Sequence, residues 1–171
     1  MAKTATYSLI NSTTLGSAQS SVTFSSIPST FTDLVLVVSN TNNTGATAPA
    51  LYLRFNSDTG TNYSTTMLYG TGSSAGSARG TSNTYALINW VGGGSNSVIV
   101  NSITHIFDYS NATTFKTLIS RYNNSSAEVD AGVSLWRSTS AITSVTVLDT
   151  TTRDFASGST FKLYGIEAGN L

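Results

Sequence analysis

The chain has 171 residues, the size of one domain able to bury roughly 70% of its unfolded surface. Eight basic and eight acidic side chains give zero formal net charge without a Lys/Arg cluster, which excludes the electrostatic footprint of a nucleic-acid-binding protein. Cysteine is absent, so there is no disulfide framework or thiolate metal site. The longest purely aliphatic run, Leu34 to Val38, is far too short for membrane insertion.

Serine and threonine number 28 each and asparagine 14, whereas charged residues make up 9% of the chain, against about 25% in an ordinary soluble protein. The apolar residues are grouped in periodic runs, so a folded domain with short neutral side chains outside is expected rather than charge-driven disorder. The start, MAKTATYSLI, lacks the apolar segment of a secretory signal. Life outside the cell stays open to a protein that leaves inside an assembled particle.

Two-residue alternation predicts strands over residues 6–10, 21–24, 32–39, 50–56, 63–69, 84–91, 98–109, 115–122, 127–136, 142–148 and 160–166. Between them lie Gly, Asn, Ser and Asp, which tolerate turn dihedrals. No eleven-residue window carries a helical stripe. The expectation is a single all-β domain, 1–171, built as a two-sheet antiparallel β-sandwich.

Taken in order, the run Leu34 to Val38 is apolar on both faces, which suits a strand covered twice, by a second sheet and by a neighbouring subunit. Leu51, Leu53 and Phe55 share an inward face, with Tyr52 and Arg54 opposite. The stretch GTGSSAGSARGTSN, 70–83, reads as the longest and most flexible loop, lying at an edge or contact, and Gly92-Gly93-Gly94 marks a second pliable turn. Val129, Ala131, Val133 and Leu135 share a face read as inward, leaving Glu128, Asp130, Ser134 and Trp136 outside. Near the end, Val145, Val147, Phe161 and Leu163 point inward, and a bulge at Gly165 would correct the phase beyond them. Val35, Leu51, Leu53, Phe55, Val133, Leu135, Val145, Val147, Phe161 and Leu163 are thus the expected core.

Several motifs imitate chemistry. Gly72-Ser73-Ser74-Ala75-Gly76 fits the G-x-S-x-G nucleophile elbow, which needs a buried strand before it and a helix after it; a Gly/Ser loop provides neither. Asp58-Thr59-Gly60 spells the aspartic-protease signature, but Asn56 and Ser57 separate it from the preceding strand, and a turn is the better reading. The spacing Asn56-x-Asp58-x-Gly60-x-Asn62 resembles a Ca²⁺ loop without its closing Glu. Gly70-x-Gly72-x-x-Ala75 lacks the βαβ unit that gives a dinucleotide fingerprint meaning. His105, the one histidine, falls in phase with Ile103 and Phe107 and reads as structural. Asn-x-Ser/Thr sequons are no more frequent than so Ser/Thr-rich a chain produces by chance. No catalytic, metal or cofactor site follows. Tyr52, Trp136 and Tyr164 fall on polar-phase positions and Trp90 lies in a strand without clean alternation, making these four the candidate interface or ligand aromatics.

Three regions, FSSIPSTFTDLVLVVS (24–39), LRFNSDTGTNYSTTMLYG (53–70) and the closing SLWRSTSAITSVTVL with FASGSTFKLYGIEA, resemble small virion proteins of tailed bacteriophages, frequent among phages of cyanobacteria. Members of that family show a YxLI start, an F-x-x-I-P-x-x-F/Y-T-D-L strand, an R-F-N-G-D-x-G-x-N-Y hairpin and an L-Y-G-I ending. Ser57 stands where they carry Gly, a change that would make the turn less forced. The resemblance spans nearly the whole chain and implies a jelly-roll-like sandwich on the phage particle, as capsid decoration or tail or fibre component. It also implies synthesis in the host cytoplasm, contacts with other virion proteins and a homo-oligomer, most simply a trimer. It carries over no catalytic residue. The alternative class is a carbohydrate-binding sandwich recognising host surface glycans.

Overall fold

The computed structural model describes residues 6–41, 50–89, 99–124, 128–150 and 154–167, and all regular structure among them is β. The strands are β1 (Tyr7–Thr14), β2 (Ser21–Phe24), β3 (Asp33–Asn40), β4 (Leu51–Phe55), β5 (Tyr63–Gly70), β6 (Ala75–Asn83), β7 (Ala86–Asn89), β8 (Val100–Ile106), β9 (Lys116–Asn124), β10 (Glu128–Trp136), β11 (Val145–Leu148) and β12 (Thr160–Ile166). Every pairing is antiparallel. One sheet has the order β1-β12-β3-β8-β9-β10-β5-β6 and the other β2-β11-β4-β7.

Setting aside β5, β6, β9 and β10 leaves two four-stranded sheets, β1-β12-β3-β8 and β2-β11-β4-β7. The chain crosses from one to the other at nearly every step, which is the path of a jelly roll. The four extra strands form two antiparallel pairs, β5 with β6 and β9 with β10, joined through β10 and β5. They widen only the first sheet, which therefore overhangs its partner.

The core lies between the sheets. Leu34, Leu36, Val38, Ile106, Leu118, Phe161 and Leu163 from the large sheet meet Phe24, Leu51, Leu53, Phe55, Val145 and Val147 from the small one, all buried. Val35, expected among them, is buried but points to the opposite face from Leu34 and Leu36. Its cross-strand partners there are Tyr164 and His105.

Strand β10 reverses expectation. Val129 and Val133 are 60% and 51% exposed and Leu135 is half-buried, whereas Trp136 is 2% exposed and Asp130 and Ser134 are buried. Two interactions outweigh the valines. The Trp136 ring packs 5.4 Å from Phe55 and 6.2 Å from Tyr63, centroid to centroid, and its Nε1 donates to Asp58 Oδ2 at 2.7 Å. One residue pair away, the Ser134 hydroxyl donates to the Leu87 carbonyl at 3.1 Å, while the Leu87 N–H donates to Thr65 Oγ1 at 3.2 Å. Thr65 and Ser134 bond each other at 2.6 Å, so two hydroxyls satisfy the backbone of β7 on its unpaired edge.

The 70–83 stretch is a hairpin rather than a loop. Its turn, where Thr71 N donates to Ser74 O at 2.9 Å, leads into nine residues of β6 at the rim of the large sheet. The small residues of β6 are accommodated by the larger side chains across it. A Cβ on Gly76 would meet the Tyr69 ring and one on Gly80 the Asn83 amide. Nor is there a bulge at Gly165, since β12 keeps unbroken register with β3 from Thr160↔Ser39 to Ile166↔Asp33. The irregularity lies across from it in β1, between Leu9 and Asn11, and turns Ile10 onto the core. Gly165 is glycine because the Phe31 ring covers it and any Cβ would overlap that ring.

After β4 the chain crosses to the large sheet through Phe55–Asn56–Ser57–Asp58, closed by Asp58 N donating to Phe55 O at 2.9 Å. Asn56 and Ser57 have φ of 51° and 58°, the pair of left-handed residues of a type I′ turn. Asn56 suits its place, accepting from Thr143 N at 2.8 Å and Ser144 N at 3.1 Å and donating to Ala141 O at 2.7 Å. Ser57 does not, and its Cβ strains the turn instead of relaxing it. Ser57→Gly should therefore stabilise the protein by about 0.5–1 kcal/mol, read as a higher urea midpoint with an unchanged slope.

Candidate interaction surface

The two outer faces of the sandwich differ in kind. On the small sheet, Ser21, Thr23, Arg54 and Thr146 point outward, and the hydroxyls of Thr23 and Thr146 lie 3.0 Å apart. On the large sheet, registers place Leu9, Tyr164, Val35, His105, Ile119, Val133 and Thr66 in one cross-strand row. Lys162, Val37, Ile103, Arg121, Ala131 and Leu68 form the next. Leu68 is 63% exposed and Ile119 50%. Among the described residues, every large hydrophobic side chain that is exposed belongs to this face or stands in phase with it just before β8 (Ile99) or β9 (Phe115).

The face is not flat. Val35 lies in a hollow of about 230 Å³ bordered by Tyr7, Ile103, His105, Phe107, Ile119 and Arg121. One wall is fixed by polar contacts. His105 Nε2 lies 2.9 Å from Asp33 Oδ2, its ring stacks on Phe107 at 4.1 Å, and Asp33 Oδ1 accepts from the Asp108 N–H at 2.8 Å. His105 is thus a structural member of the surface, as its phase indicates.

The four candidate aromatics separate. Tyr164 stands on the large outer face, half-buried, with Tyr7 edge-on at 6.5 Å. Tyr52 lies elsewhere, its ring 4.1 Å from that of Tyr85 at the mouth of a cleft of about 210 Å³ shared with Arg79, Asn83, Met67 and Leu87. This cleft opens because the β5–β6 hairpin overhangs the small sheet. Burial raises the Tyr52 phenol pKa despite a hydrogen bond from Thr150. Trp136, expected outside, is a core residue and no surface contact. Trp90 lies outside the described residues, as does the Gly92–Gly94 turn.

The residues that imitate catalysis hold the fold. Asp58 accepts from Trp136 Nε1, from Asn62 Nδ2 at 2.9 Å and from Gly60 N at 2.8 Å. Burial works to raise its pKa, but these donors prevail and hold it below the usual carboxylate value. Its oxygens face the Trp136 anchor, so Asp58-Thr59-Gly60 is a turn that braces the core. Ser74 bonds Thr71 Oγ1 at 2.9 Å in the β5–β6 turn. It is separated from His105 by the three strand spacings between β5 and β8, roughly 14 Å. The two are not brought together as nucleophile and base. Among the described residues no three His, Asp or Glu side chains gather as metal ligands. Lys116, which sequence reasoning passed over, is fully buried, with Nζ donating to Thr114 O at 2.7 Å and Thr139 O at 3.2 Å. Desolvation lowers its pKa.

The exposed apolar residues of β5 and β8–β10 escaped sequence reasoning because alternation identifies two faces without saying which is inside. A signal was present in β9, where Leu118 and Ile119 are adjacent and make the strand apolar on both faces, as Leu34 to Val38 are.

No protein-family model matches the chain, and no curated protein matches it. A crystal structure of a protein of unknown function from Shewanella oneidensis MR-1 aligns with a TM-score of 0.22 and 11% identity, over 98% of this chain and 79% of that one. So low a score carries no argument.

The buried phenol of Tyr63 offers a test of the Trp136 anchor. Its hydroxyl accepts from Phe55 N at 3.1 Å and donates to Asp58 O at 3.3 Å, and burial pushes its pKa up to about 12. A folded-state pKa above the unfolded value of about 10 gives stability fully present below that pH and lost as pH rises through the folded value. Unfolding free energy should fall between about pH 10 and pH 12, and Tyr63→Phe should lower the plateau while flattening that slope. Asp58 works in the opposite sense. Its depressed pKa gives stability present above about pH 4 and lost on further acidification, a loss that Asp58→Asn should abolish in denaturant melts.

Proposed function

We propose that the protein is a non-enzymatic structural component of a tailed-phage particle, a capsid decoration or a tail or fibre component, made in the host cytoplasm and acting through contacts with other virion proteins. The observation that carries this reading is the outer face of the large sheet, where apolar side chains that a monomer would bury stand exposed together. Leu68, Ile119, Val129 and Val133 among them lie on strands added to the jelly roll, as expected of an interaction surface grafted on a scaffold. The jelly roll is itself a common architecture of viral capsid domains and of lectins, a fold-level analogy that agrees with the sequence resemblance.

Glycan recognition is the second reading, and the Tyr52–Tyr85 cleft favours it, with Arg79 and Asn83 beside two aromatic rings. Its volume of about 210 Å³ is below the roughly 300 Å³ at which ligand pockets usually begin, and the two rings pack against each other, tilted by 52°. Protein contact is therefore placed first.

Density for the chain on intact particles, with its copy number, tests the proposal directly. Ser74→Ala should leave assembly and infectivity near normal in folded protein. A hydrolytic activity that Ser74→Ala removes would overturn the non-enzymatic reading. Binding of a defined host glycan, lost in Tyr85→Ala, would move the second reading to first.

A further inference from the structure

We propose that the outer face of the eight-stranded sheet joins two copies of this chain, packed face to face about a twofold axis. The inference rests on the structural-protein reading above and names the first partner within it.

At β10 the Trp136 anchor commits Val129, Ala131, Val133 and Leu135 to the outside. A strand inverted in this way presents its more apolar side to water unless another surface covers it. Across the sheet it is continued by Ile119, Ile103 and Leu68, so the apolar area is contiguous. From β1 to β5 the patch is roughly 29 Å wide and 20 Å long, a footprint of about 600 Å² before the relief of the side chains is counted. That footprint, which also holds Lys162 and Arg121, stands at the top of the range of about 300–600 Å² for the largest apolar patch of a typical monomer and at the lower end of the roughly 600–1,000 Å² per partner of a stable interface.

The second copy is the occupant because only it offers a matching surface within the chain's own repertoire. On the small sheet's outer face the apolar Leu87 and Leu148 are already buried and Tyr52 packs against Leu87's cluster, leaving Ser21, Thr23, Thr146 and Arg54, so a head-to-tail stack would cover a polar face and leave one apolar face bare. Face-to-face packing covers both at once and closes at two copies, in place of the three implied by resemblance. Zero net charge leaves no overall repulsion between copies. Arg121, between Ile103 and Ala131 in its row, borders the hollow over Val35 and offers a long apolar stem to the facing copy. The hollow over Val35 has room for an aliphatic side chain of the facing copy.

Absence of cysteine makes a clean experiment available. Facing sheets lie about 10 Å apart, so a bis-maleimide linker of that reach should join Ile119→Cys or Val133→Cys protein into covalent dimers, whereas Thr146→Cys on the opposite face should stay single. Wild-type protein should sediment as a dimer. The double variant Ile119→Asp/Val133→Asp should sediment as a monomer with an unchanged circular dichroism spectrum. If that variant fails to fold, Ile119→Thr/Val133→Thr keeps the test open, with a dimer dissociation constant about tenfold higher or more. Wild-type monomers or trimers, equal cross-linking through Thr146→Cys, or a folded double variant that stays dimeric would each overturn the pairing. A monomer still found on the particle defeats the pairing alone, and a dimer with turnover of a substrate defeats the structural reading alone.

Discussion

The placement of Trp136 organises the rest of this molecule. A buried tryptophan removes up to about 250 Å² from water, the largest such contribution of any side chain. Here the indole also satisfies the Asp58 carboxylate at 2.7 Å. Rotating β10 by one residue would bury three aliphatic side chains but expel the ring, leave Asp58 short of a donor and remove Ser134 from the Leu87 carbonyl. Losing several buried hydrogen bonds together, each worth about 1–3 kcal/mol once its partner is stranded, outweighs the exposure of valines. The fold therefore keeps Trp136 inside and passes the problem of the valines to the surface.

The added strands meet two different demands with their two sides. Inward, they replace a missing neighbour for β7, with Thr65 and Ser134 standing where another strand's backbone would be. That explains a polar residue on the inner side of both β5 and β10 at the same level. Outward, they carry Leu68, Ile119 and Val133, which touch nothing essential to the jelly roll. A surface free of structural duty can change chemistry without unfolding its scaffold, and interaction sites are commonly found on such surfaces.

Most strands were legible because Val, Ile, Leu and aromatic residues alternate with Ser and Thr, and the jelly-roll path agrees with what the family resemblance implies. Strand β6 was not, since AGSARGTSN has low β propensity and no apolar side; it is a strand because β5 offers a ladder and because Gly76 and Gly80 leave room for Tyr69 and Asn83. The face of β10 was not legible either. Period two separates Val133 from Trp136 but is silent on which goes in, and that choice depended on Asp58, seventy-eight positions away. Strain at Ser57 was hidden for a similar reason, because only the paired positive φ angles of the turn reveal that its Cβ is unwelcome. The surface was half visible, as a strand apolar on both sides in β3 and again in β9.

The position of β12 has a consequence for how the chain is made. It lies between β1 and β3, so neither of those early strands can complete its ladder until the last described strand has emerged from the ribosome. By then β3, β8, β9, β10, β5 and β6, which are contiguous in the sheet and all precede β12 in the chain, can already have formed most of the large sheet. During that interval β3 holds Leu34, Leu36 and Val38 beside an empty slot, and pairing of distant strands is the slow step in folding. Slow closure leaves time for nascent chains to meet through unfinished edges. In this chain the order of synthesis therefore sets the period of greatest vulnerability, and the rate at which β12 inserts sets its length.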